Sequence, residues 1–218
     1  MQFIISCSAD PRCQDHKMGE DNFDCNECKV LREHLKGQIH KCTFTCHSKK
    51  GTMKIRATEG LGINCKDPAE EFIVKPCRFG FKRFPLDKTE ILYPPEKDDK
   101  NINEMKKDNL HIRKYLERTC RDEVLLKKLE QMNFWEFLYD LGMYDKKASS
   151  WEDEKYQDSA RKRYLNAISV NIKGTASIFM KRSTSEISIN NYSPQLLPIL
   201  KSNHDIQLVM EKYGCANL

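Results

Sequence analysis

The sequence predicts an α+β fold: a Cys/His-rich, zinc-binding N-terminal region followed by helices and a small, mainly antiparallel sheet. Three observations carry this. Eight of the ten cysteines precede residue 96. From 96 to 174 apolar residues recur every three or four positions, the period of a half-buried helix. Past Gly174 the period changes to two, that of a strand with one covered face.

The 218-residue chain is long enough to bury a core, and its mixed charge (32% Asp, Glu, Lys and Arg, net +5) reads as a solvated surface. A modest basic excess permits contact with phosphate without requiring it. No apolar run approaches the roughly 20 residues that span a bilayer, and "MQFIISC" is too short for a secretory apolar region. An intracellular protein is therefore expected. In a reducing compartment, cysteines clustered with histidines read as metal ligands more readily than as disulfides.

Two regions are expected, 1–95 and 96–218, joined at "YPPEKDDKN", where Pro94 and Pro95 forbid helix continuation. Short strands and loops are expected before the junction. After it, Asn101 and Glu104 have the spacing of a capping box opening a helix to about Arg118, with Ile102, Met105, Ile112, Tyr115 and Leu116 inward. Asp122–Met132 follows, with Leu125, Leu126, Leu129 and Met132 on one stripe. Asn133 and Glu136 cap "FWEFLYDLG", which Gly142 stops. Ser150 or Asp153 starts the next helix, with Tyr156, Ala160, Tyr164 and Ile168 on one face, Lys155, Arg161, Lys162 and Arg163 exposed, and Gly174 as its stop. "TASIFMKR" and "SEISIN" around "STS" read as a hairpin. "SPQLLPIL" is a broken helical turn and "HDIQLVM" a strand.

The chemistry concentrates in "HKCTFTCHSKKG" and "KPCRFGF". Zinc takes thiolate and imidazole in a tetrahedron, and His40, Cys42, Cys46 and Cys77 can supply four such ligands. His47 and Cys65 are possible substitutes, and buried, unligated cysteines are the competing reading. Cys25 and Cys28 form a CxxC that Cys13 and His16 could complete into a second set. With no strand before it and no clear helix after it, a redox role for the CxxC is weak. Cys7, Cys120 and Cys215 sit on apolar stripes and read as core. Four protein ligands leave no open position for water, so the site is structural rather than catalytic.

There is no GxxxxGK[ST] phosphate loop, HExxH or GxSxG. His204, on an expected strand, is a lone histidine, more often structural than catalytic, and His111, in a polar helix, reads as a surface residue. In "CRFGFKRFPLDK", Arg78, Lys82 and Arg83 alternate with Phe79, Phe81 and Phe84. Such interleaving suits stacked bases and phosphates, but the pattern alone fits somewhat better a strand with a buried phenylalanine face and a solvated cationic face.

"QIHKCTFTC", "CRFGFKRFPLDKTEIL" and "INNYSPQLLPILKSNHDIQLVMEKYGCA" resemble successive blocks of Helitron-like transposon proteins. In that family these blocks lie in the replication-initiator-like region upstream of a petite-integration-frequency-type ATP-dependent DNA helicase. The resemblance implies an ancestor in which an HUH histidine pair and later tyrosines nick DNA and the helicase, with ATP and magnesium, unwinds it. This chain is expected to be a fragment beginning after the histidine pair and ending before the tyrosine helix, so Tyr213 is not assigned as nucleophile. The resemblance carries over His40, Cys42, Cys46 and Cys77 as Cys/His positions. It implies weak, noncatalytic contact with single-stranded DNA, for which Arg78, Lys82 and Arg83 of the aromatic-basic run and Arg161, Lys162 and Arg163 of the helix face are the candidate residues. The family's usual proline after "CRFGF" is here Lys82. The alternative is an exapted zinc module that mediates a protein interaction.

Overall fold

The computed structural model describes residues 25–42, 46, 52–56, 71–77, 79, 81–96, 98–191 and 199. Cys7, Cys13, His16, His47, Cys65, Arg78, His204, Tyr213, Cys215 and the expected "HDIQLVM" strand lie outside the described residues. So does all but Ile199 of the turn expected before that strand.

Helices dominate, with two small antiparallel strand pairs, which makes the class α+β. Helix α1 (Asn26–Leu35) and a 3₁₀ turn (Lys36–Gln38) come first. Strands β1 (Met53–Arg56) and β2 (Glu71–Val74) pair with Met53 opposite Val74 and Arg56 opposite Glu71. Strand β3 (Glu90–Leu92) precedes four helices: α2 (Ile102–Thr119), α3 (Glu123–Gln131), α4 (Phe134–Asp140) and α5 (Glu154–Ser169). Strand β4 (Ser177–Phe179) and a second 3₁₀ turn (Thr184–Glu186) follow.

The helix ends follow from local chemistry. The Asp122 carboxylate accepts from the Val124 and Leu125 amides at 2.9 and 3.1 Å, satisfying donors that have no partner within α3. Asn133 and Glu136 form the full reciprocal capping box of α4. At the other end of α4, Gly142 has φ +78°, the Gly142 amide donates to Tyr139 and the Met143 amide to Leu138. This is a Schellman stop. Asn101 departs from expectation, because its side chain makes no cap; its own amide donates instead to the Asp99 carboxylate at 2.8 Å. Helix α5 ends at Ser169, and Gly174, although left-handed at φ +94°, lies beyond the turn that follows it.

One core joins these helices. Ile112, Tyr115 and Leu116 of α2 meet Leu129, Phe137, Leu138, Ala160, Tyr164, Ala167 and Ile168. Tyr164, fully buried, stands edge-on to both Phe134 and Phe137 and donates its hydroxyl to the Pro85 carbonyl at 3.0 Å. Asn109, 3% exposed, links the two longest helices by donating to the Ala167 carbonyl at 2.8 Å.

The expected hairpin after Gly174 does not form. β4 pairs instead with β3, Ile178 lying opposite Ile91, and the "STS" segment becomes the 3₁₀ turn. The chain after it runs between two earlier segments. The His40 amide donates to Ser188 and the Asn190 amide to Gln38, while the Arg83 amide donates to Ile187 and Leu86 exchanges both hydrogen bonds with Arg182. Residues 182–190 thereby fix the Cys/His-bearing segment and the aromatic-basic segment to the helical core.

Candidate metal centre

His40 follows directly from this pairing. Its backbone is held by Ser188, and its ring stacks on Phe81 with centroids 3.8 Å apart and planes 8° from parallel. Phe79 stands edge-on to the same ring at 6.2 Å. The imidazole Nε2 is 3.4 Å from the Cys77 sulfur, and the ligand atoms of His40, Cys42 and Cys77 all lie within 4.8 Å of one another. This group can hold a metal ion.

Geometry allows a direct check of fit. Metal–sulfur bonds of about 2.3 Å and metal–nitrogen bonds of about 2.0 Å at tetrahedral angles place sulfurs about 3.8 Å apart and sulfur and nitrogen about 3.5 Å apart. The observed 3.4 Å differs from the latter by only about 0.1 Å. Electrostatics agrees for the imidazole. Burial, with the Lys82 and Arg83 cations beside it, holds the His40 pKa below its usual value, favouring the neutral ring that ligates. Burial and the adjacent Cys77 push the Cys42 thiol up to about 11, so without a metal the proton stays on sulfur. A bound cation reverses that preference, because a coordinating thiol is deprotonated.

Cys46 is not in the compact group of three. It is buried against Cys77 and Phe81 in a small apolar cluster beside it. The CxxC is placed differently from expectation. Cys25 is exposed and its carbonyl accepts from the Lys29 amide in the first turn of α1, while Cys28 lies within that helix. A helix does follow the motif. Cys120, expected in the core, is partly buried at the end of α2 and packed against the core cluster.

The aromatic-basic run is not a strand with one phenylalanine face. Phe81 is buried, Phe84 half-buried and Phe79 exposed, and between them Lys82 takes φ +72°. Proline, with φ fixed near −65°, cannot occupy that conformation. The Arg83 guanidinium lies 5.1 Å from the Phe81 ring centre.

On α5, of the four cations expected to stand exposed, Arg161 alone departs, while Lys155, Lys162 and Arg163 are exposed and Arg163 is ion-paired. Arg161 donates to Asp87 at 3.0–3.1 Å and to Glu90 at 2.6 Å, and its side chain is 14% exposed. Arg163 grips Asp108 with two bonds of 2.7 Å. These guanidiniums tie α5 to the β3 segment and to α2. Lys162 remains exposed, and so does Lys155, whose ammonium lies over the Tyr156 ring. His111 is exposed as expected, but its Nε2 is 2.9 Å from the Leu141 carbonyl oxygen, beside the α4 stop.

Among the described residues, no helix is long and apolar enough to cross a membrane. No protein-family model, curated protein or solved structure matches the chain.

Proposed function

We propose that the chain is a zinc-braced, DNA-contacting module with no chemistry of its own, in which His40, Cys42 and Cys77 hold a structural zinc and Cys46 completes the tetrahedron. The observation that carries this reading is the convergence of three ligand atoms from two segments 37 residues apart to within 4.8 Å. Zinc is favoured over harder cations because the group is thiolate-rich. With Cys46 as the fourth ligand, the open position that a catalytic zinc keeps would be filled.

The metal's role is mechanical. Cys77 stands at the head of the segment that continues through Phe81, Lys82 and Arg83, and His40 stacks on Phe81. Bonding Cys77 and His40 to one ion fixes this turn, with its left-handed Lys82, against the helical core. DNA as partner is supported by the resemblance to Helitron-like proteins and by the exposed Phe79 beside Lys82 and Arg83. In that family the nicking and the ATP- and magnesium-dependent unwinding belong to the intact protein, and its site of action is the nucleus.

A protein-interaction role is the second reading, favoured by the exposed Ile91 and Tyr93 at and just past β3. Metal analysis of freshly purified protein tests the first. About one equivalent of zinc per chain is expected, and less than a quarter of an equivalent would sink it. Salt then separates the two readings, since binding through phosphates must weaken steeply as salt is added.

A further inference from the structure

A cleft of about 400 Å³ opens where the aromatic-basic segment, α2, the end of α5 and β4 meet. Its lining carries five cationic side chains, Lys82, Arg83, Arg113, Lys173 and Arg182, and not one aspartate or glutamate. That imbalance stands out in a chain whose acids nearly match its bases, 32 against 37. Outside the cleft, Arg161 and Arg163 bond carboxylates directly, whereas Arg113 has only the charge of Glu117 acting on it without a direct bond. Like charges gathered in a concave, partly desolvated space focus a positive potential that a bound anion relieves.

The cations are held rather than merely present. Arg113 lies 5.0 Å from the centre of the Phe84 ring and donates its Nε to the Asn109 side-chain oxygen at 3.2 Å. The same oxygen accepts from Asn171 at 2.7 Å, so one buried amide orients two cleft residues. Burial lowers the Arg113 pKa from its ordinary value, a mark of a guanidinium removed from water. Arg182, 4% exposed, donates to the Glu186 and Ile189 carbonyls and to the Asn191 side chain, which also lines the cleft. The Arg83 Nε is buried without a hydrogen-bond partner among the described residues, so this guanidinium keeps unused donor capacity at the cleft wall.

We propose that this cleft binds a phosphate group, its oxygens met by Arg83, Arg113 and Lys173 and its position set by the Asn109 amide. The phosphate ester can come from a small phosphorylated molecule or from the backbone of a single strand. The second source rests on the DNA-contact reading above; the first does not. Guanidinium forks suit phosphate because two N–H groups can meet two of its oxygens at once.

The test titrates the metal-loaded full chain, at low salt, with inorganic phosphate and separately with a short oligothymidylate. Chemical shifts of Asn171 and Lys173 amides report phosphate, and fluorescence anisotropy reports the strand. Two variants are compared: Lys173→Glu, an exposed position in the cleft, and Lys162→Glu, an exposed position on α5 outside it. Lys173→Glu should weaken both ligands at least tenfold, and Lys162→Glu by less than twofold. Phosphate binding without strand binding upholds the cleft and sinks the DNA-contact reading. Strand binding that ignores Lys173→Glu overturns the cleft and leaves that reading standing. No shift at either amide with millimolar phosphate and no strand binding overturns the proposal outright.

Discussion

Replacing Tyr164 by Phe removes one atom and isolates one contact. The Tyr164 side chain is fully buried, and its hydroxyl donates at 3.0 Å to the carbonyl of Pro85, itself buried in the segment that leads out of the cleft. Phenylalanine keeps the edge-on packing against Phe134 and Phe137, so no cavity opens beyond the hydroxyl itself. What is lost is a buried hydrogen bond, leaving the Pro85 carbonyl oxygen without its donor, a cost of about 1 to 2 kcal/mol. For a chain of this size that corresponds to a fall in Tm of roughly 2 to 8 °C. The assay is thermal unfolding of metal-loaded protein followed by circular dichroism. Native-state hydrogen exchange at Leu86, whose amide donates to Arg182, is the second readout and should quicken as the segment loosens. A Tm within 1 °C of the parent, with Leu86 exchange unchanged, would refute the view that this hydroxyl anchors the segment.

Acid should loosen the contact between α5 and β3. Hydrogen bonding from Arg161 holds the Glu90 carboxyl below its usual pKa, so its stabilising contribution is complete above the unfolded value of about 4.3 and fades as pH falls through the folded one. Arg161→Leu should therefore flatten the decline of Tm below about pH 4.3, and an unchanged acid limb would contradict the pairing. Gly142→Ala meets no atom within 4 Å of its new Cβ, so its cost is the left-handed backbone alone, about 1 to 2 kcal/mol by chemical denaturation. A loss under about 0.3 kcal/mol would count against the Schellman stop. Metal affinity should rise with pH between 6 and 8, because the ion must displace the proton that Cys42 holds up to about pH 11. An affinity flat across that range would argue against thiolate ligation.

Local chemistry made the helices legible. Asp122, Asn133 and Gly142 act through neighbours two to four residues away, so their roles can be read along the chain. The Asn101 cap failed because Asp99 competes for the same amide, a choice decided by turn geometry rather than spacing. Helix α1 escaped notice because Cys25 and Cys28 invited a ligand reading of a short, polar segment. The hairpin failed for a different reason. A period of two states that a strand exists and says nothing of its partner, and β4 finds β3 across four intervening helices. Charge was equally mute. Arg161 and Arg163 read as solvated cations because their acceptors lie 71 to 74 and 55 residues away.

The candidate metal centre was partly legible. His40, Cys42 and Cys77 were expected together and lie together, whereas Cys46 was expected as their equal and sits in the apolar cluster alongside. Spacing identifies ligands by type but cannot weigh a thiol's packing against its coordination. The cationic cleft had no sequence signature. Lys82 and Arg83 were visible within an aromatic run, but Arg113, Lys173 and Arg182 come from separate segments, and only the fold brings them to one space.

On the proposed function, one metal, held mainly by sulfur, braces the aromatic-basic segment to the core. Zinc-edge X-ray absorption on the purified protein tests it most directly. A shell of three sulfurs at about 2.3 Å with one imidazole nitrogen at about 2.0 Å is expected, reduced by one sulfur in Cys77→Ser. A shell made only of nitrogen and oxygen, or a spectrum that Cys77→Ser leaves unaltered, would contradict it.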